Sequence, residues 1–319
     1  MSINIPQSSL PRVVIAGGGF GGLKLAQSLD SNLFQVVLID HHNYHQFPPL
    51  IYQVASSGLE PSSIAFPFRS AFRKKKNFLF RMAEVEGVDT LRNVLLTSVG
   101  EVQYDYLVLA CGGTTNFFGN EEIARHSLPM KTLYESINLR NVLLQNIEKA
   151  LVSDDEARRD ALLTVAIVGG GPSGVEIAGA LAEMKRYVLP KDYPYLDSSL
   201  FRIHLLDASP RLLQAMSEKS SETAAQGLSE LGVEIHTGTM VSNYDGQTLT
   251  LSDGTEMKTR TVIWVSGIVA NTIEGISAET LGRGKRILVD DHSQILGLTN
   301  VFAIGDQSLM TADSKYPNG

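Results

Sequence analysis

The feature that most constrains how this chain folds is a glycine-rich turn that occurs twice. In the first copy the β-branched run Arg12–Ala16 leads into Gly-Gly-Gly-Phe-Gly-Gly at residues 17–22. An amphipathic stretch from Leu23 to Leu29 follows, and a second apolar run from Gln35 to Ile39 ends in Asp40. This order predicts a strand, a tight turn, a helix and another strand, which indicates an α/β fold.

The spacing of the glycines in the first turn is typical of a dinucleotide-binding site. In a G-x-G-x-x-G frame the first glycine permits the turn, the second lets backbone approach a pyrophosphate, and the third lets the helix pack on the strand. The helix N-terminus then binds phosphate, and an acid at the end of the next strand accepts ribose hydroxyls. The alternative is an ordinary glycine-rich turn. The predicted cofactor-binding residues of this copy are Gly17, Gly19, Phe20, Gly21, Gly22 and Asp40.

The second copy starts with the apolar run Leu163–Val168 and continues through the turn 169–174 into a helix, Val175–Tyr187. The strand Phe201–Leu206 then ends in an acid. Its connection is longer than in the first copy, because residues 188–200 read as an inserted loop or an extra helical turn. The predicted cofactor-binding residues of this copy are Gly169, Gly171, Pro172, Ser173, Gly174 and Asp207.

Two dinucleotide sites in one chain imply two cofactors, most economically one tightly held flavin and one exchanging nicotinamide. The turns alone do not say which copy holds which. Asp207 favours NADH over NADPH, because a carboxylate accepts a hydrogen bond from a 2′-hydroxyl and repels a 2′-phosphate. Arg211, four residues later, leaves some use of NADPH open.

Composition excludes several classes of protein. The 319 residues are 43% apolar, which is enough for sizeable cores, and the net charge of −7 argues against nucleic-acid binding. A single cysteine, Cys111, excludes a disulfide framework and a redox pair. No apolar run is long enough for a transmembrane helix, and the N-terminus does not resemble a signal peptide. His41, His42 and His45 are close in sequence, but no cysteine or carboxylate set joins them at metal-ligand spacing, so no metal site is predicted.

Four further motifs carry a specific resemblance. They are Asn-Tyr-His-Gln-Phe at 43–47 with Leu-Ile-Tyr-Gln-Val-Ala at 50–55, the segment 169–179, Val-Ile-Trp-Val-Ser-Gly at 262–267, and Asn-Val-Phe-Ala-Ile-Gly-Asp at 300–306. With them the chain resembles the pyridine nucleotide–disulfide oxidoreductase superfamily. Within that superfamily it is similar to type II NADH dehydrogenases, the single-chain NADH:quinone oxidoreductases that do not pump protons. The resemblance covers essentially the whole chain.

This resemblance implies two Rossmann-like dinucleotide-binding domains, with the NADH domain inserted in the FAD domain. Residues 1–125 and 285–319 would form the FAD-binding domain, and residues 126–284 the NADH-binding domain. The acid of the late Gly-Asp pair would meet the ribityl and phosphate region of the flavin, and Tyr52 and Gln53 would approach its ring. The further cofactor-binding residues that the resemblance implies are Tyr52, Gln53, Gly112, Gly267, Gly305 and Asp306.

The implied reaction passes a hydride from NADH to FAD and the electrons on to a membrane quinone. Since Cys111 has no cysteine partner, the acceptor would meet the reduced flavin directly. Glu176, in the first turn of the second helix, is the predicted catalytic residue. The resemblance places it beside the contact of nicotinamide and flavin, where it would orient the ring or handle protons. Its alternative role is to stabilise the helix dipole.

The chain also departs from the resemblance, because such proteins continue for roughly another hundred residues. We interpret it as C-terminally truncated, without the quinone-pocket segment and the amphipathic membrane anchor. The intact protein would lie on the cytoplasmic side of the inner (plasma) membrane, and this chain would be soluble. A homodimer stays open. The alternative functions are a soluble NAD(P)H-dependent reductase serving ferredoxin or flavin, and a non-catalytic flavin- or NADH-binding module.

Overall fold

The computed structural model describes residues 3–313, which fall into two compact units. The first unit comprises the residues up to Gln46, Ala65–Thr114 and those from Ile268 on. The second comprises Phe47–Ile64 and Thr115–Gly267. The expected domain boundaries at 125/126 and 284/285 stay a prediction, and packing groups residues 47–64 with the second unit. Residues 1–2 and 314–319, on which the expected domain ends and the truncation rest, lie outside the described residues.

Residues 3–313 form nine α-helices and 22 strands. The helices are α1 (Phe20–Ser28), α2 (Ile51–Ala55), α3 (Phe68–Ala71), α4 (Glu121–His126), α5 (Leu133–Leu151), α6 (Glu156–Leu163), α7 (Pro172–Tyr187), α8 (Leu189–Asp192) and α9 (Glu218–Glu230). The strands are β1 (Arg12–Ala16), β2 (Gln35–Asp40), β3 (Tyr44–Gln46), β4 (Ala65–Pro67), β5 (Phe78–Met82), β6 (Val85–Asp89), β7 (Val94–Thr97), β8 (Gly100–Gln103), β9 (Tyr106–Leu109), β10 (Gly113–Thr115), β11 (Leu128–Pro129), β12 (Thr164–Val168), β13 (Arg202–Asp207), β14 (Glu234–Thr237), β15 (Val241–Tyr244), β16 (Thr248–Leu251), β17 (Glu256–Lys258), β18 (Thr261–Trp264), β19 (Ile268–Ala270), β20 (Ile287–Val289), β21 (Val301–Ala303) and β22 (Ser308–Met310).

The first unit is built on a parallel sheet in the order β21-β9-β1-β2-β5. Alternate residues of its central strand serve two cores, as the period of a strand requires. Val14 and Ala16 face one core, whereas Val13 and Ile15 face another that includes Phe68. Burial on both faces explains why these strands are almost continuously apolar.

The second unit repeats this plan with a parallel sheet in the order β11-β18-β12-β13-β14. In both units the strand that precedes the glycine turn is the central one. A three-stranded antiparallel sheet, β15-β16-β17, accompanies the larger sheet. Its Tyr244 and Leu249 pack with Leu206 and Trp264 in one buried cluster.

The α/β fold class with two Rossmann-like sheets is confirmed, and both strand–turn–helix–strand units form as predicted. The sequence pattern from Phe78 to Val85 predicts a single strand, but the structure divides this segment between β5 and β6. The connection at 188–200 contains the short helix α8. Between residues 3 and 313, no helix is both long and apolar enough to traverse a bilayer.

The start of α5 provides a test of local stability in the second unit. Thr132 caps this helix by accepting from the Glu135 N–H at 3.2 Å, and Glu135 returns the bond by accepting from the Thr132 N–H at 2.8 Å. We expect Thr132→Ala to lower the free energy of unfolding by about 1 kcal/mol, the usual value of such a cap. Urea denaturation followed by the fluorescence of Trp264, the single tryptophan, measures this.

The matched control is Thr223→Ala, which removes the same side chain from an exposed position inside α9. A change within about 0.5 kcal/mol is expected there. Equal effects of the two substitutions would show that the capping box adds no stability.

Candidate cofactor sites

The first glycine turn leaves no room for side chains at two of its positions. Gly17 has a φ of +107°, and a Cβ there would overlap the carbonyl oxygen of Ala110. A Cβ on Gly22 would overlap the carbonyl oxygen of Gly17 itself. The turn is held to the sheet by the Gly17 N–H, which donates to the Ile39 carbonyl at 2.8 Å. Folding alone therefore requires glycine at positions 17 and 22.

Gly19 has a different reason to be glycine. It is the N-cap of α1 with φ −64° and ψ −169°, a conformation that alanine also adopts. A Cβ built on it would meet no atom within 4 Å among the described residues. No side chain of the described chain caps the helix at this residue. The N-terminus of α1 thus opens onto free space, a cradle that fits a pyrophosphate beside the helix dipole. Phe20 and Gly21 form its first turn.

The second turn reproduces this geometry. Gly169 has a φ of +121°, and its N–H donates to the Leu206 carbonyl at 2.8 Å. A Cβ on Gly174 would overlap the Gly169 carbonyl oxygen. Gly171 caps α7 with φ −74°, and a Cβ there would again meet nothing within 4 Å among residues 3–313. Pro172 and Ser173 begin α7, with proline where no intrahelical N–H donor is needed.

The two strand-terminal acids have a structural role that the sequence did not predict. The Gly18 N–H donates to Oδ2 of Asp40 at 2.6 Å, and the His42 N–H donates to Oδ1 at 2.7 Å. Asp207 accepts from the Gly170 N–H through Oδ2 and from the Ser209 N–H at 2.6 Å through Oδ1. A carboxylate has about four acceptor positions, so each keeps capacity for ribose hydroxyls.

A polar network in the first unit was missed by sequence reasoning. The Cys111 N–H donates to Oε1 of Gln307 at 2.8 Å, and Nε2 of Gln307 donates to the Asn271 carbonyl at 2.9 Å. Asn271 closes the cycle by donating from Nδ2 to the Cys111 carbonyl at 2.8 Å. The network holds both backbone polar groups of Cys111, the residue directly before Gly112 (φ +65°). Because three chain segments contribute to it, no local pattern could have indicated it.

Two predicted residues directly precede Gln307. Gly305 has a φ of +68°, and the half-buried Asp306 follows it in a short 3₁₀ turn. A Cβ on Gly305 or on Gly112 would meet no atom within 4 Å in the described chain. Gly267 belongs to the second unit, where its φ is +87° and a Cβ would lie 3.1 Å from the Phe118 ring.

Cys111 is chemically quiet. Burial, with a smaller contribution from the charge of Asp40, raises the pKa of its thiol to about 12. The Sγ atom donates to the Ala16 carbonyl at 3.3 Å. A thiol that stays protonated at neutral pH is a poor nucleophile.

A groove of about 660 Å³ in the second unit brings together three predicted residues. Tyr52 and Gln53 of α2 and Glu176 of α7 line it, and the Gln53 amide donates to the Tyr52 hydroxyl at 3.2 Å. Glu176 is exposed to the groove, whose walls remove part of its hydration and raise the pKa of its carboxyl above the ordinary value. This environment favours a carboxyl that can hold a proton.

Comparison with known proteins agrees with this geometry. Residues 11–317 match the family model described as pyridine nucleotide-disulphide oxidoreductase. A type II NADH:quinone oxidoreductase of Mycobacterium tuberculosis is 36% identical over 309 residues, covering 93% of this chain and 67% of the relative. An external alternative NAD(P)H-ubiquinone oxidoreductase of Solanum tuberosum is 28% identical, with 95% and 56% covered. The chain thus spans roughly half to two thirds of these relatives.

Solved structures support the fold. The NDH2 protein of Plasmodium falciparum in complex with NADH superposes with a TM-score of 0.88 at 22% identity, covering 94% of this chain and 65% of that one. A sulfide:quinone oxidoreductase of Aquifex aeolicus gives a TM-score of 0.76 at 19% identity, with 93% and 68% covered. The resemblance inferred from the motifs is confirmed, and the chain belongs to the pyridine nucleotide-disulphide oxidoreductase family.

Proposed function

We propose that this protein oxidises NADH through a bound FAD and delivers the electrons to a quinone without pumping protons. The observation that carries the proposal is the pair of glycine turns with the same geometry, in a chain 36% identical to a type II NADH:quinone oxidoreductase. Each turn opens a helix N-terminus that suits a dinucleotide pyrophosphate. A chain with two such openings accommodates a flavin and a nicotinamide at the same time.

The first unit takes FAD and the second takes NADH in this proposal. Asp207 supports NADH as the nicotinamide, because its carboxylate ends the second unit's β13 and would repel a 2′-phosphate. When bound, the flavin supplies the redox chemistry, accepting a hydride from NADH and giving up electrons to the quinone. The chain binds the two pyrophosphates at Gly19 and Gly171 and fixes each adenosine ribose through Asp40 or Asp207.

The proposed role of Glu176 is to hold a proton next to the nicotinamide site. It is near the start of α7, five residues after the open glycine of the second turn. The raised pKa of its carboxyl keeps a larger protonated fraction than an ordinary glutamate has at the same pH. A protonated carboxyl can donate a hydrogen bond to a carboxamide, whereas the ionised form can only accept.

The proposed acceptor also suggests where the protein acts. Quinones of respiratory chains reside in the bilayer, so the protein would work at a membrane surface, peripherally and on the side that holds NADH. For a bacterial cell this is the cytoplasmic face of the plasma membrane.

An anaerobic titration of the purified chain tests the function. After reconstitution with FAD, we expect about one equivalent of NADH to bleach the flavin absorbance, and a quinone to restore it. NADPH should be much less effective because of Asp207. A yellow protein that NADH does not bleach would contradict the proposal, as would bleached protein that ferredoxin reoxidises and quinone does not.

Two glycine substitutions test which unit binds which cofactor. Gly19→Ala and Gly171→Ala fit the chain without strain, because an added Cβ meets no described atom within 4 Å. The methyl group would instead occupy the space of the pyrophosphate. We expect Gly19→Ala to weaken FAD binding by at least tenfold (~1.4 kcal/mol) and Gly171→Ala to raise the KM for NADH at least tenfold with normal FAD content.

Each of these variants is the control for the other, since both place alanine at the N-cap of a helix that follows a glycine turn. Flavin content and NADH kinetics measure them separately. The opposite pattern, with flavin lost in Gly171→Ala alone, would reverse the assignment of the units.

The role of Glu176 is tested by Glu176→Gln. This variant cannot ionise, so we expect NADH reduction of the flavin to become less dependent on pH, with flavin binding unchanged. Glu183→Gln is the matched control, because Glu183 lies two turns further along α7 and lines the same groove. Rapid-reaction spectra over a range of pH measure both. If Glu176→Gln and wild type give the same pH profile, Glu176 only stabilises the helix.

A further inference from the structure

The outer edge of the sheet in the second unit carries a cluster that the function above does not use. β13 and β14 are parallel, and their register sets His204 opposite Glu234 and Leu206 opposite His236. Residues paired in this way point to the same face of a sheet, as do residues two apart on one strand. His204, Glu234 and His236 therefore share a face.

The ligand atoms of these three side chains converge. Nδ1 of His204 lies 3.2 Å from Nε2 of His236 and 3.4 Å from Oε2 of Glu234, and all three atoms lie within 4.8 Å of one another. A tetrahedral zinc ion with bonds of about 2.0–2.1 Å separates its ligand atoms by roughly 3.3 Å. The separations of 3.2 and 3.4 Å both match this value.

Protons alone satisfy the cluster poorly. Nδ1 of His204 faces both an imidazole nitrogen and a carboxylate oxygen, and a single proton on it would have to be shared between two acceptors. Burial lowers the pKa of His204, which is only 8% exposed, and the charge of Glu234 opposes this in part. Metals bind histidine through a ring nitrogen that carries no proton.

Two cationic side chains lie near the cluster, Arg202 of β13 and Lys185 of α7, and their charges act on His204 and Glu234. Arg202, which begins β13, is engaged by the carboxylate of Asp160 at 3.1 Å. Glu234 is exposed and His236 half-buried, so one side of the cluster is open to solvent. That opening leaves a fourth coordination position for water.

We infer that the second unit binds one divalent cation of the zinc type at this edge. Its ligands are Nδ1 of His204, Nε2 of His236, Oε2 of Glu234 and a water molecule. The bound ion cross-links β14, the edge strand, to β13, and stabilises the strand that ends in Asp207. The inference does not depend on the proposed redox function.

Zinc binding to the untagged full chain, first stripped with a chelator, tests this inference. We expect one equivalent of Zn²⁺ to bind by isothermal titration calorimetry and to raise the Tm. Cobalt(II) should give the intense visible bands of a tetrahedral site as a difference spectrum. Glu234→Gln and His236→Gln should each weaken zinc binding by at least tenfold (~1.4 kcal/mol), and their Tm without zinc should stay near wild type.

The matched control is His292→Gln, which removes a histidine from the exposed group of Asp290, Asp291 and His292. It should bind zinc and gain Tm as wild type does. The inference is overturned if wild type shows no zinc-dependent shift, in which case the cluster is a hydrogen-bonded pair of histidines with an ion pair. It is equally overturned if Glu234→Gln and His236→Gln bind zinc as wild type does, or if only His292→Gln loses binding.

Discussion

The contact between two backbone segments inside each glycine turn governs the rest of the structure. At Gly22 and Gly174 the helix passes so close to the carbonyl oxygen at the start of the turn that a Cβ would overlap it. Only this approach lets α1 and α7 return directly onto the strands that precede them. Because the helix then covers the sheet, the next strand enters parallel to the first. The same constraint places both helix N-termini at the carboxyl edge of their sheets.

Two kinds of glycine coexist in these turns, and they serve different ends. Gly17 and Gly169 are required by the chain itself, through their positive φ and the carbonyl groups beside them. Gly19 and Gly171 border open space. A Cβ there would meet no atom of the described chain within 4 Å, so the fold alone does not require glycine at these positions. Asp40 and Asp207, the acids at the strand ends, serve both the fold and a ligand. Each accepts a hydrogen bond from a backbone N–H group of its turn, and each retains acceptor capacity for a ligand. Binding sites of this kind are ordered before a ligand arrives.

The features that could be predicted from the sequence are those that residues close together in the chain determine. The turns and their flanking elements were predictable, because glycine spacing and strand periodicity act within about 30 residues. The division between β5 and β6 was not, since Ala83, buried at the break, continues the apolar pattern. Gln307 meets Cys111 across 196 residues of chain, and His204 meets His236 across 32. Such contacts arise from sheet topology, and only a three-dimensional structure shows them.

The contact of Gln307 with Cys111 bears on the order in which the two units fold during synthesis. The first sheet receives its edge strand β21, and Cys111 receives its partner Gln307, only after the segment that follows Asn300 has left the ribosome. The sheet of the second unit uses strands between Leu128 and Trp264, all of which are synthesised earlier. Since domains fold as units during synthesis, the interior segment completes its sheet first. The N-terminal strands are translated before the second unit, and β9 pairs with β1 on one edge while its other edge stays open until β21 is made.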